Sequence, residues 1–390
     1  MRIAFIGSRG IPYGYASAEQ IAIQIGKRMV ARGHEFTVYC WKNLVKDRTA
    51  EYQGIRRIFL PTIESKFFGQ LMHGFLSGVH SVFCDYDVVH FQCLTNTFNA
   101  VIPHILRRNI IINVDGQEWD NPKWPRTARH LYFKSAVYAT LAMSREFITD
   151  AKGMYDIYLE RYGRKSTVIE YGAEVVSPRD SSLILPFGLS PKGYFFIAAR
   201  LVPSNQIDKI IRAFKLSGSN KILAIAGGGG FKSDFYVQLK KETPENVRFL
   251  GMISDQAVMD ELYANAYGYL HGASLGGINS ALLRPLGAGC PAIAFSTPFN
   301  REALEMSDGE FCGILWRNEA ELVESIRLLE ADEQLAARLS NLSVVQVRQK
   351  FSWDLVADQY EVFYKGILEK WSADEIRRQV SAQKEKYANS

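Results

Sequence analysis

The 390-residue sequence is poor in cysteine and has no paired cysteine motif. Its five cysteines are scattered, mostly within apolar segments. No CxxC pair indicates a zinc or thiol redox site, and an odd number does not suit a framework of disulfides. We therefore expect reduced thiols in the core of a cytosolic protein.

The sequence also lacks a long uninterrupted apolar run. No segment reaches the ~18 apolar residues that indicate a membrane-spanning helix. The nearest, residues 67–84, contains Gln70, His73 and His80 and predicts an amphipathic helix. That helix is either buried or lies on a membrane surface. Residues 1–7 already predict a strand, so we expect no signal peptide.

Positively charged residues are in small excess over negatively charged ones. The formal net charge is +5, and the basic residues are spread along the chain. This excludes a nucleic-acid partner and is compatible with anionic lipids or phosphorylated substrates. Hydrophobic residues make up 47% and charged residues 22%, which is typical of globular proteins. The length indicates two domains.

The dinucleotide-binding motif GxGxxG is missing, although the N-terminus predicts a strand, a loop and a helix. The loop has Gly7, Gly10 and Gly14, and the second strand ends at Cys40 and Trp41 without an acidic residue. These features exclude NAD binding. The βαβ order itself predicts a doubly wound domain.

Strands and helices alternate in two series, which predicts an α/β protein with two parallel sheets. The first series has strands at 57–60, 88–91, 110–114 and 167–171, with later helices at 97–107, 127–142 and 145–161. The second has strands at 194–198, 221–226, 247–250, 268–270, 292–295 and 312–315. The predicted divisions are a first domain, a linker, a second domain, a closing helix that returns to the first domain, and a tail: 1–172, 173–192, 193–351, 352–371 and 372–390.

One loop of the second series has the features of an anion site. HGASLGGIN, residues 271–279, follows a strand and precedes a helix with Asn279 or Ser280 as its N-cap. Gly276 and Gly277 leave backbone N–H groups near the positive end of the helix dipole, where a sugar diphosphate would fit. The alternative is that these glycines only make a tight turn.

Two other positions lie at the ends of strands in the second series. Arg200 follows the first of them, and a buried arginine there could clamp a diphosphate or form an interdomain ion pair. Gly227 begins a run of four glycines, which allows either close approach of a ligand or a flexible turn.

A polar and aromatic loop, VDGQEWDNPKWPR, follows a buried strand of the first series. Ligands bind at such carboxyl ends of strands. Either Asp115 or Glu118 could accept a proton from an attacking hydroxyl, and Trp119 and Trp124 could stack on a sugar. The alternative is an N-cap at Asp115 and a solvated Glu118.

Five segments together resemble the GT-B glycosyltransferases, and among them the bacterial rhamnosyltransferase-like group. They are RIAFIGSRGIP, VDGQEW followed by PKW, ARLVPSN, HGASLGGIN, and PFNRE with the terminal FSWDLVADQYEVFY. The resemblance covers nearly the whole chain. It implies two Rossmann-like doubly wound domains that face each other across a cleft.

The resemblance also implies an activity. A hexose, with L-rhamnose one candidate, would move from a nucleoside-diphosphate sugar to a lipid-linked or growing cell-surface glycan. The protein would be cytoplasmic, with a peripheral contact to the inner face of the plasma membrane left open. No metal and no cofactor besides the sugar nucleotide is expected. Configuration at the transferred sugar is either retained or inverted, and with inversion Asp115 is the candidate base.

Site residues follow from matching the motifs. The donor is expected mainly on the C-terminal domain and the acceptor on the N-terminal one. The implied catalytic residues are Asp115 and Glu118. The implied donor-binding residues are Arg200, Asn205, Gly227, His271, Gly276, Gly277, Asn279 and Arg284. The other acceptor-side residues are Gly10, Tyr15 and Trp119.

The chain departs from the family pattern at three places. Ala16-Ser17 stands where relatives have Gly-Gly, Arg284 stands where they have a ribose-binding Glu, and Ser204 replaces a commonly acidic residue. These departures favour an alternative, a non-catalytic GT-B protein that binds a glycan or a partner enzyme. A sugar-nucleotide epimerase is a further alternative, but it needs acidic and His residues that the sequence does not bring together.

Overall fold

A computed structural model describes residues 1–12, 17–63, 65, 68–116, 119, 125–228, 234–241 and 243–388. The chain divides into two compact units. The first contains Met1–Tyr171 and the C-terminal segment that begins at Trp353, and the second contains Gly172–Ser352. None of the helices in the described ranges is long and apolar enough to cross a bilayer.

The first unit is built on a sheet of eight strands. They are β1 (Arg2–Ile6), β2 (Glu35–Trp41), β3 (Glu51–Tyr52), β4 (Ile55–Leu60), β5 (Val88–Gln92), β6 (Ile110–Val114), β7 (Ile148–Thr149) and β8 (Thr167–Val168). The strand order is β3-β4-β2-β1-β5-β6-β7-β8, and only β3 pairs antiparallel with its neighbour. The central strands β1, β5 and β6 are almost fully buried, as expected for a sheet covered on both faces.

Helices connect these strands. They are α1 (Ser17–Ala31), α2 (Phe68–Val82), α3 (Val101–Ile105), α4 (Arg126–Ala128), α5 (Lys134–Met143) and α6 (Lys152–Tyr162). A 3-10 helix, Leu94–Ala100, precedes α3, and a π-helical turn, Arg129–Phe133, joins α4 to α5.

The second unit has a six-stranded, all-parallel sheet. Its strands are β9 (Tyr194–Ala198), β10 (Ile222–Ala226), β11 (Val247–Gly251), β12 (Gly268–His271), β13 (Ala292–Phe295) and β14 (Gly313–Trp316). Their order is β11-β10-β9-β12-β13-β14. The order reverses between β9 and β12, and ligands of doubly wound sheets bind beside such a reversal, outside the carboxyl ends of the strands.

Seven α-helices of the second unit lie in the described ranges. They are α7 (Ile207–Ser217), α8 (Asp234–Lys241), α9 (Gln256–Ala264), α10 (Ser280–Gly287), α11 (Pro298–Leu304), α12 (Glu319–Ala331) and α13 (Glu333–Gln346). Apolar side chains of β9, β10 and β12 form cores against helices on both sheet faces. The predicted α/β fold class is confirmed in both units.

The C-terminal segment completes the first unit. It forms α14 (Trp353–Leu368) and α15 (Ala373–Glu385). Tyr360 of α14 accepts a hydrogen bond from Asn113 of β6 at 2.9 Å, and the Tyr364 hydroxyl bonds the His90 ring at 2.9 Å. Lys384 of α15 pairs with the buried Glu170 at 2.6 Å. The charged tail is therefore a packed helix.

Three local predictions differ from the structure. The helix expected over 145–161 begins only at Lys152, because Ile148 and Thr149 form the buried strand β7. The helix expected over 97–107 is a 3-10 helix followed by the short α3. Residues 173–192, predicted without regular structure, contain the 3-10 helix Ser181–Phe187, capped by Asp180.

Candidate functional site

In the first unit, neighbouring elements form hydrogen bonds with residues 7–11, the described start of the loop after β1. The carbonyl of Gly7 accepts from Gln70 at 2.9 Å, and that of Ile11 from the buried Arg57 guanidinium at 3.0 Å. The Arg9 amide donates to the buried carboxylate of Glu19 at 2.7 Å. These bonds hold the backbone of residues 7–11 against α1, α2 and β4.

Gly10 has a conformational and a packing role in this loop. Its φ is +123°, and a Cβ there would lie 2.9 Å from the Cβ of Cys40 and 2.8 Å from Val45. Any larger residue would displace the loop from β2. Tyr15, the neighbouring acceptor-side candidate, lies outside the described residues.

Asp115 follows β6 at the carboxyl edge of the sheet and is half-buried. Its Oδ2 accepts hydrogen bonds from the Tyr171 hydroxyl at 3.1 Å and from the Cys93 thiol at 3.3 Å. Burial, with a smaller contribution from the charge of Asp115, raises the pKa of Tyr171 well above its ordinary value, so the phenol stays a donor. The two bonds orient the Asp115 carboxylate.

Trp119 packs into the first unit. Its ring meets Tyr158 edge to face, with centroids 6.3 Å apart and an interplanar angle of 71°. Glu118 and Trp124, the other two residues singled out in this loop, lie outside the described residues.

The sequence reasoning missed three residues beside Asp115. Cys93 follows β5, Asp150 follows β7, and Tyr171 follows β8. The charges of Asp115 and Asp150 both raise the pKa of Tyr171. The rule that selected Asp115, a polar side chain just after a buried parallel strand, would have found Cys93, but Asp150 lay in a predicted helix and Tyr171 ended a predicted strand.

Arg200 of the second unit is exposed, so the prediction of a buried arginine is wrong. It stands two residues after β9, where the chain leaves the sheet edge. Its carbonyl accepts from the Asn205 side-chain amide at 2.7 Å. The guanidinium makes no ion pair with any residue in the described ranges and is open to an anion from solvent.

Hydrogen bonds join the loop after β9 to the loop after β12. The backbone amide and the hydroxyl of Ser274 both donate to the Ser204 carbonyl, at 3.0 and 2.9 Å. Gln206 donates to the Gly272 carbonyl at 2.9 Å. A Cβ on Gly272 would lie 2.3 Å from the Asn205 carbonyl oxygen, so the two backbones pass very close together. The donor-binding candidates Arg200, Asn205 and the 272–279 loop thus lie on two loops that are hydrogen-bonded to each other at Gly272 and Ser274 and form one corner of the second unit.

Gly227 brings a third loop to this corner. Its φ is +152°, and a Cβ there would lie 1.8 Å from the Ala199 carbonyl oxygen. Its amide donates to the Gly251 carbonyl at 2.8 Å. Gly227 is therefore required for loop packing, whether or not a ligand also approaches it.

The glycines before α10 are open to solvent. Gly276 is exposed with φ +110°, and a Cβ there would meet no atom within 4 Å. The amides of Gly276 and Gly277 donate to no described residue. Asn279 is the N-cap of α10 and accepts from the Ala281 amide at 2.9 Å, as predicted. Free amides before a helix start can bind the oxygens of an anion.

His271 ends β12 and is 3% exposed, with its ring stacked on Tyr269. Burial lowers its pKa to about 4, so the ring is neutral at pH 7. Its Nε2 has no hydrogen-bond partner in the described part of the chain. Neutral and buried, His271 can donate or accept one hydrogen bond but supplies no positive charge to a diphosphate.

Arg284, on α10, has partners within the second unit. Its guanidinium lies 3.6 Å from Asp260 of α9 and 5.4 Å from the centroid of the Tyr263 ring. Burial raises the pKa of the Asp260 carboxyl, and the positive charge of Arg284 offsets part of that rise. The arginine that replaces the expected ribose-binding Glu thus contacts α9, but at 3.6 Å it makes no hydrogen bond, and its buried Nη2 has no hydrogen-bond partner in the described part of the chain.

Comparison with known proteins supports the interpretation of this unit. Residues 188–343 match the family Glycosyl transferases group 1. No curated protein matches the sequence.

Solved structures resemble the chain over nearly its whole length. Sucrose-phosphate synthase from Thermosynechococcus elongatus has a TM-score of 0.80 and 16% identity, covering 95% of this chain and 99% of its own. Anabaena HepE in complex with UDP has a TM-score of 0.72 and 19% identity, covering 93% and 98%. The catalytic domain of starch synthase IV from Arabidopsis thaliana, bound to ADP and acarbose, has a TM-score of 0.72 and 15% identity, covering 94% and 99%. At these identities the likeness shows the fold, which is GT-B. The fold and the family match together support a GT-B glycosyltransferase.

Proposed function

We propose that the protein transfers a hexose from a nucleoside-diphosphate sugar to a lipid-linked or growing cell-surface glycan, with L-rhamnose the candidate sugar that the sequence resemblance gives. The observation that carries the proposal is the corner of the second unit at which the loop after β9 is hydrogen-bonded to the loop after β12. There the exposed Arg200 and the free amides of Gly276 and Gly277 belong to two loops joined through Ser204 and Ser274. This corner lies within the segment that matches Glycosyl transferases group 1.

The corner suits a diphosphate leaving group. When the bond between the anomeric carbon and the diphosphate breaks, negative charge grows on the departing oxygen, and cations and N–H donors stabilise it. Arg200 and the two amides supply both, so we propose that transfer needs no metal ion. Anabaena HepE has been captured with UDP and with UDP-glucose, and starch synthase IV with ADP, which is the ligand class proposed here.

On the first unit, Asp115 is the proposed general base. The acceptor hydroxyl oxygen bonds to the anomeric carbon while the diphosphate leaves with the electron pair of the broken bond. The hydroxyl proton goes to the Asp115 carboxylate. Attack of the hydroxyl on the face of the anomeric carbon opposite the diphosphate inverts the configuration. Tyr171 and Cys93 hold that carboxylate in place, and a base held in place is worth about 10²–10⁴ in rate.

Thermal shift against UDP-, dTDP- and GDP-sugars tests the donor site. A ligand that binds only the folded protein raises the melting temperature by mass action. We expect dTDP-rhamnose to give the largest rise. Because charge-assisted bonds contribute about 1.5–3 kcal/mol, Arg200→Ala should weaken binding by about 10- to 100-fold.

The matched control is Arg338→Ala, which removes an exposed arginine of α13 that pairs with Glu310. It should leave donor affinity unchanged. If no sugar nucleotide shifts the melting temperature, or if both variants bind equally well, the donor site is not at this corner.

A non-catalytic glycan-binding or scaffold protein is the second candidate. The observation in its favour is that Arg284, at the position of the expected ribose-binding Glu, is held by Asp260 and Tyr263. This candidate predicts glycan binding without any shift by sugar nucleotides, so the same panel separates the two.

A further inference from the structure

Helix α2 of the first unit buries its polar and glycine-rich face and exposes its apolar face, the reverse of an ordinary surface helix. Its buried residues are small or polar and include Gly69, Gly74, Ser77 and Gly78. Its outward stripe is apolar and includes Phe68 and Phe75, which are 68% and 49% exposed. A surface helix normally buries its apolar stripe and exposes polar side chains.

Close backbone packing explains the inner face of α2. A Cβ on Gly78 would lie 2.5 Å from the Asn99 carbonyl oxygen, and one on Gly74 would lie 2.1 Å from the Asn99 side-chain amide. Only glycine lets the helix lie this close to the 3-10 helix Leu94–Ala100. The phenylalanine side chains of α2 have no room on the face that packs against this 3-10 helix, and they lie on the outer face.

The exposed apolar surface continues past the end of α2. Phe83 is 84% exposed, and Ile105 and Leu106, at the end of α3, are 68% and 53% exposed. Arg108 joins the two helix ends, since its guanidinium donates to the Val82 carbonyl at 2.5 Å. We call Phe68, Phe75, Phe83, Ile105 and Leu106 the apolar patch. A soluble surface rarely leaves such a set of large side chains together without a partner.

Most charges around the apolar patch are positive, although Asp85, two residues after Phe83, is 81% exposed on its side chain and pairs with Arg2. Residues 68–83 and 101–108 contain no acidic side chain, while Arg107 and Arg108 follow Leu106 directly. A cavity of about 270 Å³ next to Arg108 is lined by two further cationic side chains, Arg145 and Lys370, and by His104. Its acidic lining residue, Glu146, is 1% exposed on its side chain and paired with Arg377.

We propose that the apolar patch is a membrane-docking surface that binds the headgroup–acyl boundary of an anionic bilayer. At 15 residues α2 is about 22 Å long, shorter than the ~20 residues needed to span, so it would lie in the plane of the surface. Phe and Leu side chains then enter the boundary, and the arginines meet lipid phosphates. The apolar side chains alone would suit a protein partner as well, but the excess of basic side chains at the rim, Arg107, Arg108, Arg145 and Lys370, favours anionic lipid. This proposal does not depend on the glycosyltransferase assignment.

Vesicle flotation of the full chain tests the proposal. Vesicles of phosphatidylcholine with 30% phosphatidylglycerol should carry the protein, and vesicles of phosphatidylcholine alone should carry at least about 5-fold less, since each basic residue near an anionic surface adds about 1 kcal/mol. The double variant Phe75→Glu with Ile105→Glu should lose at least about 10-fold of the binding, because both changes put charge at the boundary. Leu216→Glu, which alters a 62% exposed leucine of the second unit, should bind like the parent protein.

Three outcomes would overturn the proposal. One is the absence of flotation with anionic vesicles. The second is equal flotation of the double variant and the parent, with unchanged melting temperatures showing that both are folded. The third is a dimer in analytical ultracentrifugation that the double variant abolishes while vesicles bind neither protein, which would assign the patch to a second copy of the chain.

Discussion

At the residue scale, a side chain's partners decide which candidates can act on a ligand. Arg200 and Arg284 are both arginines of the second unit and both were candidates for the donor. Arg200 is exposed without an ion pair in the described ranges, whereas Arg284 contacts Asp260 and Tyr263. Arg200 can bind a phosphate without losing a partner, whereas Arg284 would give up its contact with Asp260, although its buried Nη2 has no hydrogen-bond partner in the described ranges.

Arg284→Ala should therefore affect stability more than binding. A partly exposed ion pair and a cation–π contact are each worth up to about 1 kcal/mol, so we expect a loss of about 1 kcal/mol in the free energy of unfolding. Donor affinity should change by less than about twofold, because the guanidinium is held by protein partners. Melting curves and titration with the sugar nucleotide measure the two effects. A tenfold change in affinity would show that the side chain reaches the donor.

At the element scale, the alternation of apolar strands with helices predicted nearly all of the second unit. β9 and β13 have the predicted bounds, and β14 is displaced by one residue. The pattern is reliable there because all six strands are parallel and buried, so each is a short apolar run followed by a helix. The corner itself was predictable only in part. Glycines and an arginine at strand ends mark it, but the bonds that join Ser204 to Ser274 depend on chain packing.

The first unit was harder to predict, because tertiary contacts override local pattern. Ile148 and Thr149 form a two-residue strand between residues that read as one helix, and they are buried between β6 and β8. The apolar residues of α2 predicted a helix correctly. Their outward orientation follows from the glycines on the other side, whose close packing partner is distant in the chain.

Gly78→Ala tests the packing of α2. Alanine favours a helix by about 1 kcal/mol over glycine, but the new Cβ would overlap a backbone oxygen, and overpacking costs about 1–3 kcal/mol. We expect a net loss of about 1 kcal/mol in the free energy of unfolding, the middle of the range that these two figures give. Phe75→Ala, on the exposed side of the same helix, should change it by less than about 0.5 kcal/mol. Equal stability of Gly78→Ala and the parent protein would contradict the close contact with Asn99.

At the scale of the whole molecule, each unit buries neutral histidines. Burial lowers the pKa of His73 and His271 to about 4 and that of His90 to about 3. Below pH 6.5 these side chains take up a proton in the unfolded chain but not in the folded one, so each destabilises the fold as the pH falls. Burial raises the pKa of Glu146 to about 7, so protonation of this carboxyl stabilises the fold as the pH falls. The three histidines together outweigh this single opposing group.

The melting temperature should therefore fall between pH 7 and pH 5. Each histidine contributes at most about 2 kcal/mol over this range, since one pH unit is worth about 1.4 kcal/mol. His73→Gln removes one titrating group and should make the pH dependence shallower in the first unit. If His73→Gln and the parent protein show the same dependence, His73 does not remain neutral in the folded state.

Release of the nucleoside diphosphate from its sugar, with extracted lipid-linked glycan as acceptor, tests the central claim most directly. The account predicts release from dTDP-rhamnose that depends on the acceptor and continues in EDTA. Asp115→Asn should lower kcat by at least about 100-fold with the KM for the donor unchanged, because the base acts only in the reacting complex. Binding of the sugar nucleotide without any release, or full activity of Asp115→Asn, would contradict it.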